Sequence, residues 1–292
     1  MTILNIGSVN IDHVYRVARH PSPGETISDL GHATYLGGKG ANMSLAATLA
    51  GASVRHVGCI GPEGHWCCDR LANAGIDLSG LTEVPEATGH AVIMVDEAGE
   101  NIIVIHSGAN RSLTEMQIEG AIAKSNPCDW LLLQNETNLV PFAAQIAKAA
   151  GLKVAYAAAP FDPSATADVL PYTDLLAVNK VEAQQLAEHL DRPVSDVPVP
   201  SLLITLGARG AVFRAHNTEQ RCDAFPVAVV DTTGAGDTYL GYFLAGISRE
   251  LPIQTAMQRA AAASALQIMK PGAADAIPTA REVDLLLERT DA

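Results

Sequence analysis

The chain has 292 residues, of which 48% are hydrophobic, 17% charged and 4% aromatic. That balance suits a soluble chain with one deep core and excludes the disordered, collagenous and disulfide-scaffold classes. Nineteen basic against 32 acidic residues leave a net charge of −13, which opposes broad attraction to nucleic acid or an anionic membrane, so any phosphate ligand must be held locally.

Apolar runs with strand character lie at 3–7, 54–60, 130–133, 153–158, 175–178 and 202–205. Several are apolar on consecutive residues, as in strands buried on both faces. Helical patterns at 41–50, 114–124, 140–149, 181–190 and 236–245 fill the gaps. The alternation predicts an α/β fold with a mostly parallel sheet and right-handed crossovers. Two stretches leave the rhythm: 13–36, around Pro21, Pro23 and Gly24, and 91–106, which reads as two strands about a turn at 96–100. We read them as excursions, at about 13–36 and 88–108, from a single domain spanning 1–292. They form either a lid or dimerisation sheet, or two static surface hairpins.

Five cysteines, Cys59, Cys67, Cys68, Cys128 and Cys222, include no C-x-x-C pair, so neither a disulfide framework nor a zinc ribbon is expected. Nine histidines, with His65-Trp-Cys-Cys68 the densest stretch, lack zinc spacing, and no transition metal is assigned. Met1 leads straight into an apolar strand, and the alanine-rich run 260–269 is too short to span a bilayer. The expectation is a cytoplasmic protein without a membrane or nucleic-acid partner.

The strongest local signal is Asp231-Thr-Thr-Gly-Ala-Gly-Asp237, followed at once by an apolar helix. Small residues Gly234, Ala235 and Gly236 let backbone approach a ligand, and amides opening a helix favour anionic oxygens. Asp237 falls in the first turn, placed either to take a proton from an attacking alcohol or simply to cap the helix. A second glycine turn, Tyr35-Leu-Gly-Gly-Lys-Gly-Ala-Asn42, also opens a helix but lacks Walker A spacing. Its Gly38, Lys39, Gly40 and Asn42 suit a small polar ligand or a tight strand-to-helix joint. Asn10 and Asp12 lie just beyond the first strand, where amide and carboxylate suit vicinal hydroxyls. Glu136 follows another strand in the same way, and Asn179 with Glu182 follows a third, where the spacing fits a capping box equally well.

Taken in order, Gly7-Ser-Val-Asn-Ile-Asp12, Pro23-Gly-Glu-Thr26, Gly37-Gly-Lys-Gly-Ala-Asn42, Ile105-His-Ser-Gly-Ala-Asn110, Asn179-Lys-Val-Glu182, Thr205-Leu-Gly-Ala-Arg-Gly210 and 231–237 resemble the ribokinase group of the PfkB carbohydrate kinases. The likeness runs from about residue 3 to Pro278. It implies a ribokinase-like three-layer α/β/α sandwich with a small β-sheet lid, often shared across a homodimer. It also implies transfer of the γ-phosphoryl group of ATP to a sugar primary hydroxyl, with D-ribose giving ribose 5-phosphate. By position, Asp237 is the base, and the amides of Ala235 and Gly236, after Gly234, stabilise charge on the phosphoryl group. Asn10, Asp12, Gly38, Lys39, Gly40, Asn42 and Glu136 hold the sugar. Asn179, Thr205, Gly207, Gly210 and Gly236 hold the nucleotide, and Glu182 orients Mg²⁺ through water. A K⁺-type cation falls to Asp231, Thr233, Gln267, Lys270 and Gly272, mostly through backbone carbonyls.

Departures from the group's pattern mark a divergent member. Ala276 stands where a serine cation ligand is usual, leaving water or Asp275 to fill the gap, and Ala261 replaces a histidine lining the adenine site. Ala157-Ala-Ala-Pro160 replaces Asn-Pro-Ala-Pro, and Tyr242 fills a position that is normally small. Other substrates consistent with the resemblance are another pentose, a ketohexose or a nucleoside. A non-catalytic sugar- or nucleotide-binding protein on the same fold is the alternative of a different class.

Overall fold

The computed structural model describes residues 1–215 and 218–290. Strand β1 (Thr2–Ile6) sits inside a nine-stranded sheet. On one side it pairs in parallel with β4 (Ser53–Ile60), reached from helix α1 (Lys39–Leu49), and β4 pairs with β5 (Asp77–Glu83) after α2 (His65–Asn73). On its other side follow β8 (Trp130–Gln134), β9 (Lys153–Ala157), β10 (Leu175–Asn179) and β11 (Ser201–Thr205), all parallel. Antiparallel β12 (Ala211–Ala215) and β13 (Thr218–Cys222) close that edge. The chain thus grows away from β1 in both directions, which opens a crevice between β1 and β8 at their carboxyl ends.

The small sheet is built from β2 (Asn10–Arg16), β3 (Gly31–Gly37), β6 (Gly89–Val95) and β7 (Asn101–His106), in the order β3-β2-β6-β7. Asn10 and Asp12 are therefore part of β2 itself rather than of a turn beyond β1, because only residues 7–9 separate the two sheets. Along β7 every residue is exposed, including Ile102, Ile103, Val104 and Ile105.

Helices cover both faces of the large sheet. One layer holds α1, α2, α7 (Ala235–Ser248), α8 (Ile253–Gln267) and α9 (Ala280–Thr290). The other holds α3 (Glu115–Ile122), α4 (Val140–Ala149), α5 (Pro163–Val169) and α6 (Lys180–His189). Consecutive strand residues alternate between the two cores: Leu132 packs into the first, Leu131 and Leu133 into the second, all fully buried. Each such leucine contributes about 2 kcal/mol, which explains why the run is apolar without interruption. The strands β5, β12 and β13 were not anticipated in the sequence: β5 and β13 carry mixed polar residues without a continuous apolar signal, and the apolar run of β12, Ala211 to Phe213, is only three residues long. The buried Tyr242 hydroxyl donates to the Pro278 carbonyl at 2.6 Å, tying α7 to the chain entering α9. Among the described residues, no helix is long and apolar enough to cross a membrane.

Candidate active site

Three segments meet at the crevice. From the β1–β2 corner, the Ser8 hydroxyl donates to the Glu136 carboxylate and accepts from the Gly40 amide at 3.1 Å. From the start of α1, the Lys39 amide donates to the same Glu136 oxygen at 2.9 Å. Glu136, just past β8, thereby pins both of the other segments. Glycine is required at position 40, where a Cβ would come within 2.4 Å of the Ser8 nitrogen. Asn10 is held by Asn110, whose amide donates to Asn10 Oδ1 at 2.7 Å while its own oxygen accepts from the Val9 amide at 3.0 Å. Asn10, Asn110, Arg111, Asn135 and Glu136 line a cavity of about 210 Å³.

Asp12 faces this group without a hydrogen-bond partner among the described residues. Burial, then the charges of Glu136 and of Asp237, push its pKa up to about 7. Asp12, Glu136 and Asp237 lie near enough to feel one another's charge, an arrangement prepared for hydroxyl groups rather than for an anion.

Asp237 is the third residue of α7 and is 6% exposed. The amide of Asn42 donates to its Oδ2 at 3.1 Å, and Lys39 Nζ lies 3.8 Å from Oδ1. The Asp237 carboxylate, followed by those of Glu136 and Glu182, raises the Lys39 pKa against the opposing effect of burial. Gly234 precedes the helix in the left-handed region, φ 76°. A side chain there would be strained, and its Cβ would meet the Gln267 amide at 3.0 Å. The Ala235 amide donates to the Thr232 carbonyl at 3.2 Å, whereas the Gly236 and Asp237 amides have no backbone acceptor among the described residues. Free amides at a helix start make an anion site.

Lys39, Asn179, Glu182, Thr205 and 234–237 line a cleft of about 180 Å³. Asn179 and Glu182 do form the capping box of α6: Asn179 Oδ1 accepts from the amides of Val181 and Glu182 at 2.8 and 2.9 Å, and Glu182 Oε2 accepts from the Asn179 amide at 2.7 Å. One carboxylate oxygen of Glu182 is left over, and burial raises the pKa of the group. A carboxylate oxygen held at reduced solvation beside a phosphate-sized cleft fits a hard divalent cation. The cleft continues, past Thr205, Ala235 and Gly236, into a cavity of about 530 Å³ lined by Gly207, Gly210, Phe225, Tyr239 and Ala261.

Next to Gly234 the proposed cation loop is knitted together. The Asp231 carboxylate accepts from the Thr233 and Gly272 amides, each at 2.9 Å, and Gln267 Nε2 donates to the Thr233 carbonyl at 2.8 Å. Gln267 Oε1 is buried without a partner. Carbonyl oxygens and an unpaired amide oxygen suit a large monovalent ion. Asp275, however, is ion-paired with Arg70, and the Lys270 side chain reaches to Glu282 at 3.3 Å. The structure brings Asp231, Thr233, Gln267 and Gly272 together; the Lys270 side chain turns to Glu282, while its backbone amide donates to the Gln267 carbonyl at 3.0 Å and keeps its main chain beside the loop.

Sequence reasoning did not assign Ser8, Asn110, Arg111 or the apolar wall around Phe225. Asn110 ends one of the quoted blocks, which was its available signal. Ser8 needed the knowledge that Glu136 and Gly40 converge on it, and Phe225 lies in irregular chain without periodicity.

The chain matches the pfkB family of carbohydrate kinases over residues 2–280. It is 36% identical to a ribokinase of Haemophilus influenzae over 302 aligned residues, covering 98% of each protein. The crystal structure of a Thermotoga maritima ribokinase superposes with a TM-score of 0.88 at 30% identity, covering 98% of this chain and 99% of that one. An Arabidopsis thaliana ribokinase solved with ribose and ATP superposes with a TM-score of 0.86 at 27% identity, covering 98% of both chains. The three-layer sandwich, with its second small sheet, is thus the ribokinase-like fold. With sequence likeness across nearly its whole length and the same fold, the chain belongs to the pfkB family of carbohydrate kinases, enzymes that transfer a phosphoryl group to an alcohol.

Proposed function

We propose that this protein is an ATP-dependent ribokinase that phosphorylates O5 of D-ribose. The observation that carries the reading is the Asp237 carboxylate, fixed by Asn42 and Lys39 between a cavity of hydroxyl-binding groups and a cleft with free helix amides. It is supported by the likeness to ribokinases, one of them solved with ribose and ATP.

Asn10, Asp12, Glu136 and the turn Gly38, Lys39, Gly40 and Asn42 grip the secondary hydroxyls, which leaves the primary hydroxyl facing Asp237. Asp237 takes the hydroxyl proton as the oxygen attacks the γ-phosphorus. The bond from that phosphorus to the β-bridging oxygen breaks and ADP departs. The Gly236 amide stabilises charge on the transferring group, and the Ala235 amide joins it once it releases Thr232. Thr205, Gly207 and Gly210 border the nucleotide, and the Nδ2 of Asn179 faces its phosphates. Glu182 would hold Mg²⁺ through water, and that ion would supply charge neutralisation at the phosphates. Asp231, Thr233, Gln267, Lys270 and Gly272, mostly through backbone carbonyls, would hold a monovalent cation that would supply positive charge near the anion site. The small sheet acts as a lid over the sugar, and the exposed apolar strand β7 supports pairing of two lids in a homodimer. Five unbonded cysteines support a reducing, cytoplasmic setting.

The test is sugar-dependent ADP release across ribose, fructose, adenosine and pseudouridine. Ribose is expected to give the highest kcat/KM, and Asp237→Asn to lower kcat by about 10³-fold or more while nucleotide still binds. Turnover unchanged in that variant would remove the proposed base.

A further inference from the structure

Behind the sugar pocket, four polar side chains from four different elements are sealed from solvent. Asn5 on β1, Ser44 on α1, His56 on β4 and Gln134 on β8 are each 0% exposed. Burying such groups is costly unless each finds a partner. They find one another through one continuous chain of contacts, with only Gln134 Oε1 and His56 Nε2, at its two ends, outside hydrogen-bond geometry among the described residues. Gln134 Nε2 donates to Asn5 Oδ1 at 2.9 Å, Asn5 Nδ2 donates to the Ser44 hydroxyl oxygen at 2.8 Å, and that oxygen lies 2.8 Å from His56 Nδ1. The second hydrogen on Asn5 Nδ2 goes to the Gly40 carbonyl at 2.8 Å.

Counting protons gives the chain a direction. Ser44 Oγ spends one of its two lone pairs on Asn5 and keeps its proton for His56 Nδ1, and the pull of the Gly7 backbone on the far side of the ring favours this arrangement, with the ring proton on Nε2. Burial holds the His56 pKa down to about 4, and hydrogen bonding to the Gly7 backbone works the other way. The ring is therefore neutral at physiological pH.

None of the four lines the cleft, yet three of them adjoin segments that do, and His56 backs Ser44 from β4. Asn5 leads into the corner that carries Ser8, Asn10 and Asp12. Ser44 lies one turn beyond Gly40 and Asn42, and Gln134 stands two residues before Glu136. Apolar packing would hold these segments together without fixing how far one slides past another. Directional hydrogen bonds do fix it, and displacements well under an ångström matter to a reacting hydroxyl. We propose that Asn5, Ser44, His56 and Gln134 form a positioning relay that sets the relative placement of segments 7–12, 38–42 and 134–136, and so the enzyme's grip on its sugar. The inference rests on the ribokinase reading above. It adds that the grip is tuned from behind by residues that never touch the substrate.

Ser44→Ala breaks the relay at its centre with little loss of volume. The expected result is a ribose KM about tenfold higher with the ATP KM within about twofold of wild type, because apart from Lys39 and Met43 the nucleotide walls hang on elements other than α1. Gln134→Met, at the far end, is expected to produce the same split. The wild-type enzyme supplies an independent readout, in which ¹⁵N NMR of His56 is expected to report the Nε2–H tautomer. Equal changes in both KM values, or a fall in thermal stability with the ribose KM unmoved, would overturn the relay, as would an Nδ1–H tautomer. Failure of the wild type to phosphorylate any sugar would instead refute the kinase reading and take the relay's role with it. A wild type active on ribose beside an unaltered Ser44→Ala sinks the relay alone.

Discussion

Replacing Asp12 by asparagine is expected to stabilise the ligand-free protein at alkaline pH while changing it little under acid conditions. Its carboxyl is pushed up to about 7 in the folded chain, against an ordinary value of 3.8, by burial, Glu136 and Asp237 in that order. The folded state therefore keeps this proton to higher pH than the unfolded state does. Stability falls as pH rises between those two values, and above about 7 the full cost of a charged carboxylate in the pocket is felt. A displacement of about 3 pH units at ~1.4 kcal/mol each caps that cost at about 4 kcal/mol. Water reaching the partly exposed side chain from the cleft reduces it. The assay is urea unfolding of wild type and Asp12→Asn without ligand at pH 5 and pH 8. Groups that titrate alike in both proteins cancel in the difference. The variant's advantage should widen by roughly 2 kcal/mol between the two conditions. A gap that stays constant, or a variant less stable at pH 8, would refute the electrostatic account of the pocket. The same substitution should weaken sugar binding, so the carboxylate trades stability for substrate recognition.

Two further outcomes follow from departures in the nucleotide half. Ala261 offers nothing to a base edge, and the Ser264 hydroxyl already donates to the Ala235 carbonyl at 2.9 Å. GTP should therefore support turnover with kcat/KM within about tenfold of ATP, and discrimination beyond about a hundredfold would show that main chain reads the base. Since Asp275 is engaged by Arg70 and Ala276 brings no side-chain oxygen, adding KCl to a buffer free of alkali cations should raise the rate less than about threefold. A tenfold rise would mean that the carbonyls of the loop suffice by themselves.

The layered fold was legible because strands buried on both faces leave uninterrupted apolar runs, as Leu131, Leu132 and Leu133 do. Its antiparallel edge was not, since β13 is largely exposed and mixes charged with apolar residues. Glycine turns announced the two helix starts that face the cleft, because a close approach or a left-handed φ tolerates little else. Asn179 and Glu182 remained ambiguous in the sequence for a reason the structure makes plain: they cap a helix and line the cleft at once. Asn5, Ser44, His56 and Gln134 left no trace, since isolated polar residues within apolar stretches give no clue that they will find one another across four elements.

Asn10 and Asp12 belong to a strand whose hydrogen-bond partners are β3 and β6, not the large sheet. Whatever tilts that four-stranded unit must therefore drag with it the two groups proposed to face the sugar, while Asp237 and the helix amides stay behind on the main body. Recognition is thus split between two platforms, joined by residues 7–9, by Gly38 between β3 and α1, by 84–88 and 107, and by contacts such as Asn110 to Asn10 and those around Glu136. Exchanging the smaller platform between relatives becomes a rational route to altered sugar preference with the phosphoryl-transfer apparatus left intact.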